Sequence, residues 1–554
     1  MVGKGLKGIA TFMLQQTSDN CLSPMWALMN ADFTPGNKLA VLAEANHEIH
    51  RLEPLLMGAK PVPFVKPVAL YFSRMDLSIP QPLWDLYGTR IDNPYRVYSI
   101  LRGLGYPVTW ITPKQIEAGG LKDVGAVVMV DIKYVPQGAA NKLEAWVKEG
   151  GSLIADQWPG IFNEYGRPQN TLGEMFGIRA TVVAKKTDAK DARLALQETS
   201  STVYGVDPDV LRSLGSTKDI SKSVDEMWEQ WDSTHPVSKA VGRFHLSGYG
   251  FTSIDCVAGQ VIGMAASGAA GRAALVINDY GKGHTLYSAL MLGTLYDSGP
   301  IRYEWDSARE GTSLSRILDS FLRFSGLEPF AKTGLPAPTA LRTRIENPLV
   351  DTKNNVLIGI ISTNDMPLPD FALSLRWPDS KPHPKMLLVV SDGSRKMQQV
   401  PFEIKGGKLN LKMPGFDTHA TLLALTDSDP LVSMEIAGVP AGEVGLAQVT
   451  PGSKLTVKAT VWNPSPRKLG EGDLKMYGAA GWFCNENTAK IEGIQPYSKS
   501  KETSFEVVAP ANCSKLTLRP IVMKYQTGKV NSTPCTELVW WAKTAGSESA
   551  LSLK

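Results

Sequence analysis

Cysteine is scarce, with five in 554 residues and no CxxC pair. That excludes a disulfide-built scaffold and argues against a zinc ribbon. Cys21 and Cys256 stand alone, while Cys484, Cys513 and Cys535 fit either one disulfide or three buried thiols. Long apolar runs are missing as well. Met386 to Val390 is among the longest, far below the roughly 18 residues of a membrane span. No run of five basic residues occurs, and 58 Lys and Arg against 54 Asp and Glu leave a net charge of +4. Nucleic-acid binders gather positive charge on one surface, so that class is set aside. The start of the chain carries Lys4 and Lys7 but only a short apolar stretch, Ile9 to Leu14, with no small-residue cleavage site. No signal peptide is read there, and the compartment stays open, secretion included if a further N-terminal part exists.

What is present is ordinary globular material, 43% apolar and 20% charged. At about 150 residues per domain the length suggests roughly three to four domains. GLKGIATFML (5–14) reads as a buried strand. NKLAVLAEANHEIHRLEPLL (37–56) places Leu39, Leu42, Ile49, Leu52 and Leu55 at helical spacing. From Pro67 the pattern alternates. VALYFS (68–73), PVTWIT (107–112), AVVMVD (126–131) and SLIAD (152–156) are apolar along their length. Helices are expected over Asn93 to Leu104 and Ala139 to Lys148, stopped by Gly105 and by Gly150-Gly151, with a short turn at Ile116 to Gly119. Continuous apolar strands alternating with helices predict a parallel sheet covered on both faces. Residues 158–245 read as an irregular insertion. RAALVIND (272–279), a Gly281-Lys282-Gly283 turn and HTLYSALM (284–291) predict a hairpin, and Ser313 to Phe324 a closing helix. After Pro329 no helix is expected. Short strands bounded by Gly, Pro, Asn and Asp predict a β-sandwich to about 429 and a second, Ig-like one over 430–546, with a tail at 547–554.

Three stretches carry a resemblance. PVALYFSRMD, then Tyr95 to Gly105, then KLEAWVKEGGSLIADQWPGIFNEYGRP (142–168) are similar to the trimerisation domain of family 42 β-galactosidases. That family's helix, Gly-Gly turn and strand are followed by a GxxxExxRP loop, matched here by Gly160, Glu164, Arg167 and Pro168. VINDYGKGHTLYSALMLGTLY (276–296) is similar to its YGKG hairpin. The resemblance implies a flavodoxin-like or glutamine-amidotransferase-like α/β domain over 66–330. GLKGIATFMLQQ and 37–56 resemble the last strand and helix of the family's (β/α)8 barrel, making 1–60 a barrel remnant. The closing sandwich resembles Ig-like modules of polysaccharide-degrading enzymes. The family's acid/base and nucleophile lie on barrel strands four and seven, and neither has a counterpart in this chain. A retaining mechanism needs two such carboxylates about 5–5.5 Å apart, so the chain alone is expected to be inactive. It is expected to serve a β-glycoside hydrolase as an assembly and accessory region. The alternative is a non-catalytic oligomeric scaffold or carbohydrate-binding protein. The implied partners are further copies of the chain in a homotrimer, carbohydrate, and a separate barrel-bearing chain.

Candidate site residues follow from these readings. Gln15 and Gln16 fall where the family lines its sugar site, and are either sugar contacts or polar loop residues. Asp76, Trp84, Asp85 and Tyr87 follow the first strand of the sheet. Asp131, Asp156, Glu164 and Tyr165 sit at comparable ends. Open α/β sheets bind ligands at strand C-termini. Assembly contacts are preferred for Asp76, Trp84, Asp131 and Glu164, with sugar contacts as the other reading. Glu44, His47, Glu48 and His50 share a helix, but the histidines are three apart rather than four, so no metal is expected. The position after SLIAD holds Gln157-Trp158-Pro159-Gly160, with no Cys or Ser nucleophile. No phosphate-binding glycine loop follows a strand, and no cofactor is expected. Trp462, Trp482, Trp540 and Trp541 are either sandwich core or a sugar-stacking platform.

Overall fold

A computed structural model of the chain describes residues 58–75, 89–156, 159–180, 254–265, 273–289, 307–364, 366–391, 397–438, 447–478, 487–509, 518–532 and 535–541, with shorter pieces at 52, 55–56, 228–231, 235–237, 244–245, 292, 483–484 and 511. The expected strand at 5–14, most of the helix at 37–56, and Gln15, Gln16, Asp76, Trp84, Asp85, Tyr87, His47 and His50 lie outside the described residues.

The α/β unit contains β1 (Val68–Tyr71), α1 (Thr89–Gly103), β2 (Val108–Ile111), β3 (Ala126–Met129), α2 (Gln137–Lys148) and β4 (Ser152–Asp156). It continues with β5 (Trp228–Trp231), β6 (Phe244–His245), β7 (Gln260–Ala265), β8 (Ala273–Tyr280), β9 (Gly283–Ser288) and α3 (Ser307–Phe324). They form one sheet in the order β2-β1-β3-β4-β9-β8-β7-β5-β6. The first five are mutually parallel, with Val68 opposite Val108 and Ala126, and Ser152 opposite Ala126 and His284. From β9 onward the neighbours are antiparallel. The apolar runs are explained by cover on both faces. Val68, Leu70, Val128 and Ile154 meet Val97 and Leu101 of α1 and Ile317 and Phe321 of α3. Ala69, Val127 and Leu153 point the other way, onto Leu143 and Val147 of α2. The insertion read as irregular contributes β5 and β6, which extend the sheet on its antiparallel side.

Glycine is needed where the hairpin meets α2. Lys282 N–H donates to the carbonyl of Lys148 at 2.9 Å. A Cβ on Gly283 would lie 2.2 Å from the carbonyl oxygens of both Gly151 and Val147. The turn therefore seats directly on the C-terminus of α2, satisfying a carbonyl that the helix leaves open.

Beyond the α/β unit the expectation that helices vanish needs one correction: Ala337–Leu341 is a short helix with Pro336 at its N-cap. Proline near a first turn costs nothing, because that N–H has no intrahelical partner, and the Pro-rich spelling hid the helix. The remaining elements are strands. A seven-stranded and a four-stranded sheet enclose one core, in which Val356, Ile358, Leu387, Val389 and Leu422 face Phe371, Leu373, Leu375 and Leu409. A five-stranded and a six-stranded sheet enclose a second core, centred on Val457, Val461, Phe505, Leu474 and Met523. Gly283→Ala should force the hairpin off α2 and cost about 1–3 kcal/mol, the usual range for an overpacked site. Urea unfolding read at the α/β unit measures it, and an unchanged midpoint would contradict the close seat.

Candidate functional site

Strands β1, β3, β4 and β9 run parallel, so the residues after them gather at one edge. Four of the expected residues, Asp131, Asp156, Glu164 and Tyr165, are described there. Asp131 turns out of β3 with φ 51°, a left-handed conformation that aspartate tolerates better than most side chains. Its N–H donates to Oδ1 of Asp156 at 2.7 Å, and the N–H of Leu292, beyond β9, donates to Oδ2 at 2.8 Å. Asp156, the last residue of β4, thus ties together the chain leaving three neighbouring strands. The Asp131 carboxylate is almost enclosed itself, with the Lys133 ammonium 3.8 Å from its Oδ1.

Asp156 is fully buried. Burial, reinforced by the Asp131 charge, pushes its carboxyl up to about 8, against the downward pull of the main-chain N–H groups of Asp131, Leu292 and Asp156 itself. The Tyr287 phenol, also buried, is raised by burial and then by the Asp156 charge. A carboxyl that keeps its proton near neutrality has the character of a general acid. Asp156 lacks the access: it has no exposed surface and both oxygens accept from the backbone. Its work is structural.

Glu164 occupies the loop after β4. Its Oε2 accepts the N–H of Gln137 at 2.8 Å, at the start of α2, where free amides and the helix dipole favour a carboxylate. Asn163 Oδ1 accepts the N–H groups of Tyr165 and Arg167, both at 3.0 Å. Gln169 Nε2 donates to the carbonyls of Val135 and Phe162, and Phe162 stacks on Tyr134 at 5.2 Å. The loop is thereby folded back on the N-terminus of α2. Tyr165 stands 78% exposed at its tip.

The arrangement lacks the geometry of a hydrolytic pair. Among the described residues the acids buried as whole residues are Asp156 and Glu346. Glu346 is held by Arg102 and accepts from the Tyr98 hydroxyl, so neither faces an open cleft. No three His, Cys, Asp or Glu side chains converge as metal ligands among the described residues. Trp462 belongs to the interior: it is fully buried, its indole N–H donates to Ser433 Oγ at 3.0 Å, and Lys499 Nζ lies 5.1 Å from its ring. Trp482 lies outside the described residues, as do the side chains of Trp540 and Trp541. Sequence reasoning placed Asp156 at the edge but missed Lys133, Arg102 and Glu346.

No family model and no curated protein matches the chain. Similar solved structures include a β-galactosidase from Bacillus circulans sp. alkalophilus, at 13% identity and TM-score 0.46, covering 74% of this chain and 49% of that one. The β-galactosidase of Rahnella sp. R3 shows 15% identity and TM-score 0.44, covering 74% and 48%. Alpha-L-fucosidase isoenzyme 2 from Paenibacillus thiaminolyticus shows 12% identity and TM-score 0.45, covering 71% and 53%. The chain spans about half the length of each, and residue roles do not transfer at such distances. No described helix is long and apolar enough to cross a membrane.

The raised Asp156 carboxyl has a definite sign. The folded state holds its proton more tightly than the unfolded chain, so the stabilisation is complete below about pH 4 and is lost as pH climbs towards 8. At about 1.4 kcal/mol per pKa unit the loss amounts to several kcal/mol. Unfolding of the α/β unit followed from pH 5 to 9 should show this slope. Asp156→Asn should flatten it, while costing about 1–3 kcal/mol because its amide nitrogen faces a backbone donor. An unchanged slope in the variant would assign the titration to another group.

Proposed function

We propose that this chain is the assembly and accessory region of a β-galactosidase-like glycoside hydrolase, and that it carries no catalytic carboxylate pair of its own. The observation that supports this most is the interlocking of the motif segments. Helix α2, the Gly150-Gly151 turn and β4 lead into a loop whose Glu164 caps the same helix. The YGKG turn seats on the other end of that helix. Two separated stretches of the sequence pattern, 137–168 and 280–283, thus constrain one another physically, which is more than a likeness of composition.

The parallel order β2-β1-β3-β4-β9 supports a flavodoxin-like reading of the α/β unit, whose strands follow the same 2-1-3-4-5 arrangement. The paired, mainly antiparallel sheets support the two sandwich domains, the second Ig-like. In this reading the exposed loop edge around Tyr165 serves assembly, further copies of the chain are the first partner, and carbohydrate is met by the assembled enzyme. The buried carboxyls are spent on structure, so hydrolysis falls to a barrel on the same polypeptide or on a partner chain.

Purified chain, tested on aryl β-galactosides and by sedimentation velocity, should give no turnover and should sediment as a multimer, three copies of 60.2 kDa being the form the resemblance implies. Turnover would refute the missing carboxylate pair. A monomer at micromolar concentration would refute the assembly role.

A further inference from the structure

The first sandwich has an unusual sheet. Strand positions normally alternate between core and solvent in a sandwich, yet this seven-stranded sheet is apolar on both sides. Leu387 and Val389 face the enclosed core, and so do Leu422 and Ala424. Their neighbours Leu388, Val390, Leu423 and Leu425 face outward, together with Leu357 and Met386, and are equally buried. What covers them is specific. Leu52, Leu55 and Ala59 come from the segment before the α/β unit, and Leu431 and Trp462 from the second sandwich.

The segment beginning at Leu52 continues around the sheet. Lys60–Pro61 pairs antiparallel with Leu349–Val350 and becomes the edge strand. The N–H of Val62 donates to the carbonyl of Pro348 at 2.9 Å. Beyond the edge, Val62, Phe64 and Val65 enter the enclosed core, where Phe64 meets Phe330 and Trp377 edge-on at 5.7 and 5.3 Å. One stretch of chain thus covers the outer face, completes the edge and fills the inner core. The α/β unit leaves and returns at one place: a Cβ on Gly125 would touch both Lys66, before β1, and Leu327, after α3. Closely spaced ends are the mark of an inserted domain.

We propose that Leu52, Leu55 and residues 58–66 form an anchor strap belonging to the first sandwich, so that whatever the chain carries before Leu52 is tied to that sandwich, with the α/β unit inserted between strap and sandwich. The acceptor surface takes the helical residues Leu52 and Leu55 followed by a short strand, and its occupant is this chain's own segment. This goes beyond the glycosidase reading and stands whichever polypeptide lies upstream.

The test is hydrogen exchange on the full chain carrying Leu52→Asp and Leu55→Asp. Strands at 356–362, 386–391 and 419–425 should exchange at least roughly tenfold faster, while β1, β3 and β4 keep their protection. Leu55→Ala alone should give a smaller increase in the same strands, which keeps the test informative if the double variant unfolds. Unchanged sandwich strands, or an equal loss in β1, β3 and β4, would overturn the assignment. No catalytic readout enters, so failure here is distinct from failure of the proposed function.

Discussion

The guanidinium of Arg102 and the carboxylate of Glu346 meet in the interior, both with almost no exposed surface. Burying two charges costs several kcal/mol each, and their attraction offsets this only with good geometry and further hydrogen bonds. The further bonds are present. Arg102 Nη1 donates to Asn347 Oδ1 at 2.7 Å, and Asn347 Nδ2 reaches the carbonyl of Val108 on edge strand β2. The pair therefore joins α1 to the stretch 345–350 and blunts a sheet edge as well. That same stretch begins with a strand paired to Val356–Ser362 and ends with the strand that receives the strap. Gly105, at φ 83°, lets the chain pass the carbonyl of Ala331 where any Cβ would collide. Ion pair, close passage and strap all converge on the junction between the α/β unit and the first sandwich.

That junction changes how the carboxyls of the molecule are understood. A glycosidase spends its buried acids on substrate. Here Asp156 gathers the loop edge of the parallel sheet, Glu346 fixes the junction, and Glu164 starts a helix. Each accepts a hydrogen bond from a protein donor. An architecture of this kind is suited to holding elements at fixed distances.

Much of the fold was legible in the sequence because one force dominated locally. Strands β1, β3 and β4 are covered on both faces, so every position is buried and, Ser152 and Asp156 apart, apolar, which makes the run unmistakable. Gly105 and Gly150 mark helix ends because those turns need a positive φ. The illegible parts are those where tertiary partners override local pattern. Lys60–Pro61 is too short and too proline-rich to read as a strand, and becomes one only beside Leu349–Val350. Arg102 sits on a helix like any surface arginine, and nothing nearby in sequence announces Glu346, 244 residues away. The outer face of the first sandwich left a trace in MLLVVS, buried at all six positions, but a run cannot say what lies on its second side. At the loop edge, Asp131 and Asp156 were readable from strand ends. Their division of labour was not, since it depends on which carboxyl receives the backbone amides.

The most direct measurement is a double-mutant cycle on the Arg102–Glu346 pair, with unfolding followed separately in the α/β unit and the first sandwich. Glu346→Ala leaves a buried guanidinium without its counter-charge, and should destabilise by about 3–5 kcal/mol in both regions together. Arg102→Met combined with Glu346→Leu should recover most of that loss. If Glu346→Ala changes neither region, or loosens one alone, the junction is not what couples the two halves of the chain.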